Sequence, residues 1–235
     1  MNSKSVYYYI SHAINYVISL IYPPQCIFCG AVLPLKFGAG NMMCGKCAGA
    51  MEMTVEDSPP GAAFEKNVSI MKYGGARGAI FKFKYGGRPG IAKALAELTY
   101  KNADYPEISL CDCAAPVPLH DKRRNVRGYN QAELYAKELA ALYKIPFAAD
   151  ALMRVRDTAP QSGLNADERR KNVEGAFRVN EARADFINGK TVLLADDIRT
   201  TGSTLNECSI ALKNAGARAV YCVTFAAAEF KEHDI

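Results

Sequence analysis

The chain has 235 residues, of which 49% are hydrophobic and 23% charged, enough for one well-buried domain and a small additional module. Its formal net charge of +5 is a mild excess that does not by itself identify a nucleic-acid-binding protein, so the clustering of basic residues matters more than their number. No apolar run reaches the roughly 18 uninterrupted residues of a membrane span. We therefore expect a cytoplasmic protein.

The N-terminal stretch, residues 6–22, is apolar but interrupted by polar residues such as His12 and Asn15, which are costly at the centre of a bilayer. If this stretch is helical, five of its apolar side chains lie on one face of the helix: Tyr9, Ala13, Tyr16, Val17 and Leu20. This pattern predicts an amphipathic helix that packs on the module following it. The alternative is docking to a membrane surface or a partner protein.

Four of the eight cysteines form two C-x-x-C pairs, Cys26 with Cys29 and Cys44 with Cys47. Four thiolates in two such pairs are typical of a closed, structural Zn²⁺ site. A disulfide pair or an iron centre with the same four ligands is the alternative. We expect residues 1–55 to form a zinc-ribbon module together with the N-terminal helix.

The other four cysteines do not share this spacing. Cys208 and Cys222 lie in apolar patterns and are predicted to pack in the core. Cys111 and Cys113 flank Asp112 at the start of a predicted strand, and we assign them no ligand role.

A turn-rich linker, residues 56–61, precedes the second domain, predicted at 62–235. A strand (68–73), a short helix (76–84), a glycine break and a second helix (91–100) follow. Aromatic and basic residues alternate in this segment: Tyr73, Phe81, Lys82, Phe83, Lys84, Tyr85 and Arg88. Such a mixture can contact single-stranded nucleic acid. Alternatively, the aromatic side chains face the core and the lysines are solvated.

The next predicted strand, residues 111–116, leads into a loop that is rich in basic residues: His120, Lys122, Arg123, Arg124 and Arg127. A helix follows from about residue 130. Another strand (152–155), a long polar segment, a helix (165–172) and strands at 177–179 and 220–225 complete the pattern. Strands that alternate with helices predict an α/β fold with a parallel sheet flanked by helices.

The most informative stretch is TVLLADDIRTTGSTL, residues 191–205. The apolar run 192–195 favours a strand buried on both faces, which places Asp196 and Asp197 at its carboxyl end. A loop of hydroxyl residues and one glycine then leads into a helix: Thr200, Thr201, Gly202, Ser203 and Thr204.

The start of that helix favours an anionic group, whereas the two carboxylates suit vicinal hydroxyls or a hydrated Mg²⁺. A ribose 5-phosphate has both features. The alternative is a capped helix with a solvated pair of aspartates. A P-loop is excluded, because no G-x-x-x-x-G-K-[ST] occurs.

The string VLLADDIRTTGST resembles the phosphoribosyl pyrophosphate (PRPP) motif of type I phosphoribosyltransferases. Further similarity, in VPLHDKRRNVRGYNQAE (117–133), in residues 154–177 and in the two cysteine pairs, identifies the chain as a member of the ComF family. The resemblance covers nearly the whole chain. It implies a type I phosphoribosyltransferase-like α/β fold, with residues 62–105 as a hood and 110–228 as the core.

The resemblance also assigns roles to residues. Asp196 and Asp197 would contact the ribose hydroxyls, and residues 200–204 the 5-phosphate, with Mg²⁺ bound beside PRPP. The basic loop would receive pyrophosphate through Lys122, Arg123, Arg124 and Arg127. A flexible loop that closes over the substrate would contribute Arg154, Thr158, Gln161 and Arg169.

Two functions are consistent with these features. The first is transfer of phosphoribosyl from PRPP to an acceptor that the sequence does not identify, and in which His120 has no assigned proton-transfer role. The second, implied by the link of the ComF family to DNA uptake in natural transformation, is a non-enzymatic competence protein. It would bind single-stranded DNA and competence proteins, with the PRPP site as a sensor or phosphate clamp.

Overall fold

The computed structural model describes residues 17–34, 42–103, 105–120, 124–126, 128–158 and 163–228. It divides into two compact units, Met1–Met51 and Glu52–Ile235. No helix within the described ranges is long and apolar enough to cross a membrane.

The first unit contains little regular structure. Gln25 and Val32 form an isolated antiparallel bridge around the first cysteine pair, and Gly30 completes the turn between them with a φ of 78°. A short helix, α1 (Gly45–Gly49), begins directly after its N-cap residue Cys44 and contains Cys47, so the second pair lies at its start. Both pairs therefore lie in tight turns, where a chain can present two sulfur atoms to one point.

Most of the predicted N-terminal helix lies outside the described residues. Residues 17–21 are helical. Val17 is 55% exposed and Leu20 is 59% exposed, so the described part of this unit does not cover the predicted apolar stripe. The expected packing of this helix on the cysteine module stays a prediction.

Within its described residues, the second unit has seven strands: β1 (Thr54–Asp57), β2 (Lys66–Lys72), β3 (Cys113–Pro116), β4 (Leu152–Arg154), β5 (Phe177–Val179), β6 (Thr191–Arg199) and β7 (Ala219–Ala227). Five of them form one sheet in the order β1-β2-β7-β6-β3. The pairs β2–β7, β7–β6 and β6–β3 are parallel, whereas β1 pairs with β2 antiparallel at one edge. The predicted parallel sheet is confirmed.

The helices of this unit are α2 (Tyr73–Tyr85), α3 (Ile91–Asn102), α4 (Pro106–Ser109), α5 (Gln131–Tyr143), α6 (Ala166–Val173), α7 (Ala184–Ile187) and α8 (Ser203–Asn214). One face of the sheet packs against α5, where the rings of Tyr135 and Phe225 meet edge to face with centroids 6.4 Å apart. Helix α3 lies against α5, and Thr99 and Tyr135 hydroxyls are 2.6 Å apart.

Helix α8 packs on the other face. Its residues Leu205, Cys208 and Leu212 share a buried cluster with Val192 and Leu194 of β6. Leu193 is also fully buried, so β6 is covered on both faces, as its continuous apolar run predicts. Cys208 and Cys222 belong to the same cluster, which confirms their packing role.

Two expectations for the strands need correction. The predicted strands at 152–155 and 177–179 do not join the parallel sheet, because β4 and β5 pair with each other, antiparallel, as a separate two-stranded sheet. Each has three residues and only one that is buried, Leu152 and Phe177. The predicted linker 56–61 includes the last two residues of β1, Glu56 and Asp57.

Candidate functional site

The aspartate pair lies inside β6 rather than after it. Asp196 is paired with Thr224 of β7, and the strand continues to Arg199. The neighbouring strand β3 ends at Pro116, opposite Ala195. Asp196 and Asp197 therefore extend beyond the carboxyl end of β3, where β6 is still paired with β7. The strand was predicted to end at Ala195, and the structure corrects this end to Arg199.

The two carboxylates differ in surroundings. Successive side chains of a strand point to opposite faces, so Asp196 shares the face of Leu194 and Asp197 the face of Leu193. Asp196 Oδ1 accepts a hydrogen bond from the Asp197 backbone N–H at 2.8 Å. Burial raises the pKa of Asp196 well above its usual range, the Asp197 charge raises it further, and Lys84 opposes both.

Asp197 is paired with a lysine from the hood. Lys84 Nζ lies 2.7 Å from Asp197 Oδ2, with the two side chains 20% and 11% exposed. The same Oδ2 atom is buried, so this ion pair is shielded from water. Of the two alternatives for this segment, solvated lysines and a nucleic-acid contact, the first is wrong for Lys84.

Lys84 reaches the aspartates because its neighbour Phe83 fixes the end of α2. Phe83 is fully buried, and its carbonyl oxygen accepts hydrogen bonds from Tyr129 (2.5 Å) and from Gln131 (3.4 Å). The helix ends directly afterwards, where Gly87 has a φ of 59°. The sequence shows a lysine among aromatic residues but contains no signal for which partner that lysine meets.

The predicted phosphate loop leads directly into α8. Gly202 has a φ of 80°, a conformation that favours glycine, directly before the first residue of α8. The N-cap residue, Gly202, has no side chain to cap the helix, and the Ser203 N–H donates a long hydrogen bond of 3.4 Å to the Thr201 hydroxyl. A helix start of this kind favours an anion. The Thr201 and Ser203 hydroxyls are 2.8 Å apart. The half-buried loop residues are Thr200, Thr201, Gly202, Ser203 and Thr204.

The basic loop is described only in part. Lys122, Arg123 and Arg127 lie outside the described residues. Arg124 is committed to an ion pair, since its Nη2 atom lies 3.0 Å from Glu133 Oε2 in the first turn of α5.

A second contact joins the basic loop to the segment after β4. His120 Nδ1 is 3.7 Å from Asp157 Oδ1. The structure therefore brings together the start of the predicted pyrophosphate loop and the start of the predicted flexible loop.

Two of the predicted flexible-loop residues, Arg154 and Thr158, are in contact. Arg154 donates a hydrogen bond to Thr158 and stacks over the Phe177 ring, with the guanidinium carbon 5.3 Å from its centroid. Arg169 is half-buried on α6, and Gln161 lies outside the described residues.

One arginine of this region has a structural role that sequence reasoning missed. The Arg156 Nη2 atom donates to the carbonyl oxygens of Asn172 and Glu174, at 3.1 and 2.6 Å, and so caps the end of α6.

The four cysteines of the first unit form a compact cluster. The Sγ atoms of Cys26, Cys29, Cys44 and Cys47 all lie within 4.8 Å of one another, and those of Cys29 and Cys44 are 3.7 Å apart. Thiolates about 2.3 Å from a tetrahedral zinc ion are separated by about 3.8 Å. All four are free thiols, so the disulfide alternative is not supported, and the cluster could hold a metal ion such as zinc.

The thiols of this cluster are electrostatically unequal. Burial raises the pKa of Cys26, but backbone hydrogen bonds from Cys29, Cys44 and Phe28 outweigh it and lower the pKa to about 6. Burial and the neighbouring cysteine side chains raise the pKa of Cys47 to about 12. Because one of its thiols ionises readily, this cluster attracts a cation.

The chain is similar to several known proteins. Residues 127–234 match the family model of the phosphoribosyl transferase domain. Among solved structures, the glutamine PRPP amidotransferase of B. subtilis is similar at a TM-score of 0.41 and 18% identity, over 61% of this chain and 30% of that chain. That likeness is too low to support an argument of its own.

Two sequence relatives are more informative. Competence protein F of Haemophilus influenzae is 33% identical, over 84% of this chain and 82% of that protein. The DNA utilization protein YhgH of Escherichia coli is 29% identical, over 77% of this chain and 75% of that protein. The identity and coverage of the first relative, together with the domain match, show that the chain belongs to the ComF family and carries a phosphoribosyl transferase domain.

Proposed function

We propose that the protein binds PRPP with Mg²⁺ at the carboxyl end of β6. The observation that carries this proposal is the succession of two carboxylates and a helix start with a glycine N-cap on one continuous segment, Asp196 to Thr204. Carboxylates accept hydrogen bonds from vicinal hydroxyls, and free N–H groups at a helix start bind phosphate. A ribose 5-phosphate has both groups at its two ends.

The aspartates also suit a magnesium ion held together with PRPP. Magnesium prefers carboxylate and phosphate oxygens with several waters, and Asp197 Oδ2 is a buried carboxylate oxygen that already has one cation, the Lys84 ammonium group, 2.7 Å away. When bound, the ion would neutralise the negative charge of the pyrophosphate group. Asp196 and Asp197 would hold it or its water ligands.

If an acceptor binds, the reaction we propose is displacement at C1 of the ribose. The bond from C1 to the pyrophosphate oxygen breaks, pyrophosphate leaves with the bonding electron pair, and a bond from C1 to the acceptor forms. The basic loop would stabilise the departing charge. Closure of the segment that begins at Asp157 would exclude water, which would otherwise capture the electron-poor C1.

For the first unit we propose a structural zinc ion. The spacing of the four sulfur atoms and their tight turns fit a closed tetrahedral site with no position left for a substrate. Thiols that stay reduced fit a reducing compartment such as the cytoplasm.

A second candidate is binding of single-stranded DNA as part of DNA uptake, with or without competence proteins. The observation that favours it is a pair of exposed aromatic rings on α2. Phe81 and Tyr85 are each 64% exposed, and their ring centroids are 5.2 Å apart. Unpaired bases stack on such rings, and the names of the two relatives refer to competence and DNA utilization.

One experiment separates these functions. The purified full chain is titrated with PRPP and Mg²⁺ and then screened for pyrophosphate release with candidate acceptors, single-stranded oligonucleotides among them. Release that depends on an acceptor supports the transferase. Binding of PRPP without release supports the sensor or clamp, and the absence of PRPP binding would contradict the proposed site.

A further inference from the structure

Lys84, near the end of α2, brings a positive charge to the proposed PRPP site. None of the ligand contacts proposed above involves this lysine. Lys84 Nζ lies 2.7 Å from Asp197 Oδ2, and both side chains are largely withdrawn from water. Ion pairs in such surroundings are less screened than surface pairs. Any cation that approaches Asp197 must therefore compete with an ammonium group that is already in contact with it.

The position of Lys84 is fixed by the fold. Its neighbour Phe83 is buried, and the Phe83 carbonyl oxygen is held by the Tyr129 hydroxyl at 2.5 Å. The helix that carries Lys84 continues directly from β2, which pairs with β7 in the main sheet. Lys84 thus belongs to the framework of the site and not to a solvated surface.

We propose that Lys84 is a resident counter-ion that keeps free divalent cations from Asp197 and makes metal binding depend on the phosphorylated ligand. This inference rests on the proposed function. A free cation would have to displace the ammonium group from Asp197, and the attraction between these two partly buried charges would be lost. A ligand that carries phosphates offers Lys84 a new anionic partner, and Asp197 is then released for the hydrated metal or the ribose hydroxyls.

The physical consequence is coupling between two ligands. If PRPP relieves the competition at Asp197, it tightens metal binding, and by linkage the metal tightens PRPP binding by the same factor. Lys84 is thus a positioning residue that acts through Asp197. Its removal should raise the affinity for the metal alone and reduce this coupling.

The test uses Mn²⁺ alone as the probe, added to the full zinc-loaded chain and measured by calorimetry or by the electron paramagnetic resonance signal of free Mn²⁺. Manganese prefers oxygen ligands and does not compete for thiolates. Lys84→Met is compared with Lys82→Met, which removes the same charge from the same turn of α2. We expect Lys84→Met to bind Mn²⁺ about tenfold more tightly than wild type, and Lys82→Met to match wild type.

Adding Asp197→Asn to Lys84→Met should abolish the gain in Mn²⁺ affinity. Because Lys84→Met leaves a buried carboxylate unpaired and could unfold, Lys84→Gln is a second variant with the same expected direction. Equal Mn²⁺ affinity in Lys84→Gln and wild type, or an equal gain in Lys82→Met, would overturn the inference. No PRPP enters this measurement, so its failure is distinct from a failure of the protein to bind PRPP.

Discussion

Tyr129 and Phe83 connect the hood to the core of the second unit: the Tyr129 hydroxyl donates a hydrogen bond of 2.5 Å to the Phe83 carbonyl oxygen, and the two rings are 5.9 Å apart. Tyr129 directly precedes the residue that caps α5, Asn130, whose Oδ1 accepts from the Ala132 N–H. One side chain thus joins the end of α2 to the start of α5.

We expect Tyr129→Phe to lower the free energy of unfolding by about 0.5–1.5 kcal/mol, the net value of one hydrogen bond, because the ring contact stays and the donor is lost. Urea unfolding of the full chain measures this. Tyr73→Phe, at the other end of α2, is the control and should change stability much less. Equal stability of Tyr129→Phe and wild type would show that the hydroxyl does not anchor the hood.

We predict one tightly held zinc ion per chain. Elemental analysis of the reduced protein should find zinc near unit stoichiometry, since the four sulfur atoms fit one tetrahedral site. Cys44→Ser should lose most of the metal, whereas Cys111→Ser, outside the cluster, should retain it. Protein that contains neither zinc nor iron would refute the metal site, and iron alone would change the identity of the metal.

We predict that Asp196 destabilises the folded protein at neutral pH. Burial and the Asp197 charge raise the pKa of Asp196, so folding favours its protonated form. The stability linked to that proton is present at low pH and is lost as pH rises through the raised pKa. Asp196→Asn, which keeps an oxygen for the Asp197 N–H, should therefore raise the free energy of unfolding at pH 7.

The gain in the free energy of unfolding of Asp196→Asn should be smaller at pH 4, where Asp196 of the wild type is itself protonated. Asp185→Asn, an exposed change on α7, should stay within about 0.5 kcal/mol of wild type at both values. Urea unfolding at the two pH values measures both variants. An Asp196→Asn protein that is less stable than wild type at pH 7 would contradict the argument.

If single-stranded DNA stacks on α2, the double variant Phe81→Ala/Tyr85→Ala should bind an oligonucleotide more weakly by about 1–3 kcal/mol per lost stacked base. The salt dependence should stay unchanged, because no charge is removed. Tyr100→Ala, an exposed aromatic residue on α3, is the control. Fluorescence anisotropy at several salt concentrations measures this, and equal binding by the double variant and wild type would exclude these rings as the DNA surface.

The sequence predicted the parts of the fold that local patterns determine. The continuous apolar run of β6 predicted a strand that is buried on both faces, and the glycine before α8 predicted where that helix begins. The main sheet followed from the alternation of strands and helices. The pairing of β4 with β5 could not be predicted, because a three-residue strand has no period long enough to indicate its partner.

The candidate site was predictable where its residues are contiguous and unpredictable where the fold joins distant segments. Asp196, Asp197 and the hydroxyl loop lie on one stretch of chain. Lys84 is far from them in sequence, and its alternation with aromatic residues suggested either a nucleic-acid contact or a solvated side chain, not a contact with Asp197. Arg124 illustrates the converse, since its charge suggested a ligand contact but Glu133 already pairs with it.

The central claim is that the β6 aspartates hold PRPP, and calorimetry with Mg²⁺ present tests it most directly. Wild type should bind PRPP, and Asp197→Asn should bind it more weakly by about 1.5–3 kcal/mol, the scale of a hydrogen bond to a charged group. Asp185→Asn should bind like wild type. A wild-type protein that gives no PRPP binding, or an Asp197→Asn protein that binds as tightly as wild type, would contradict the account.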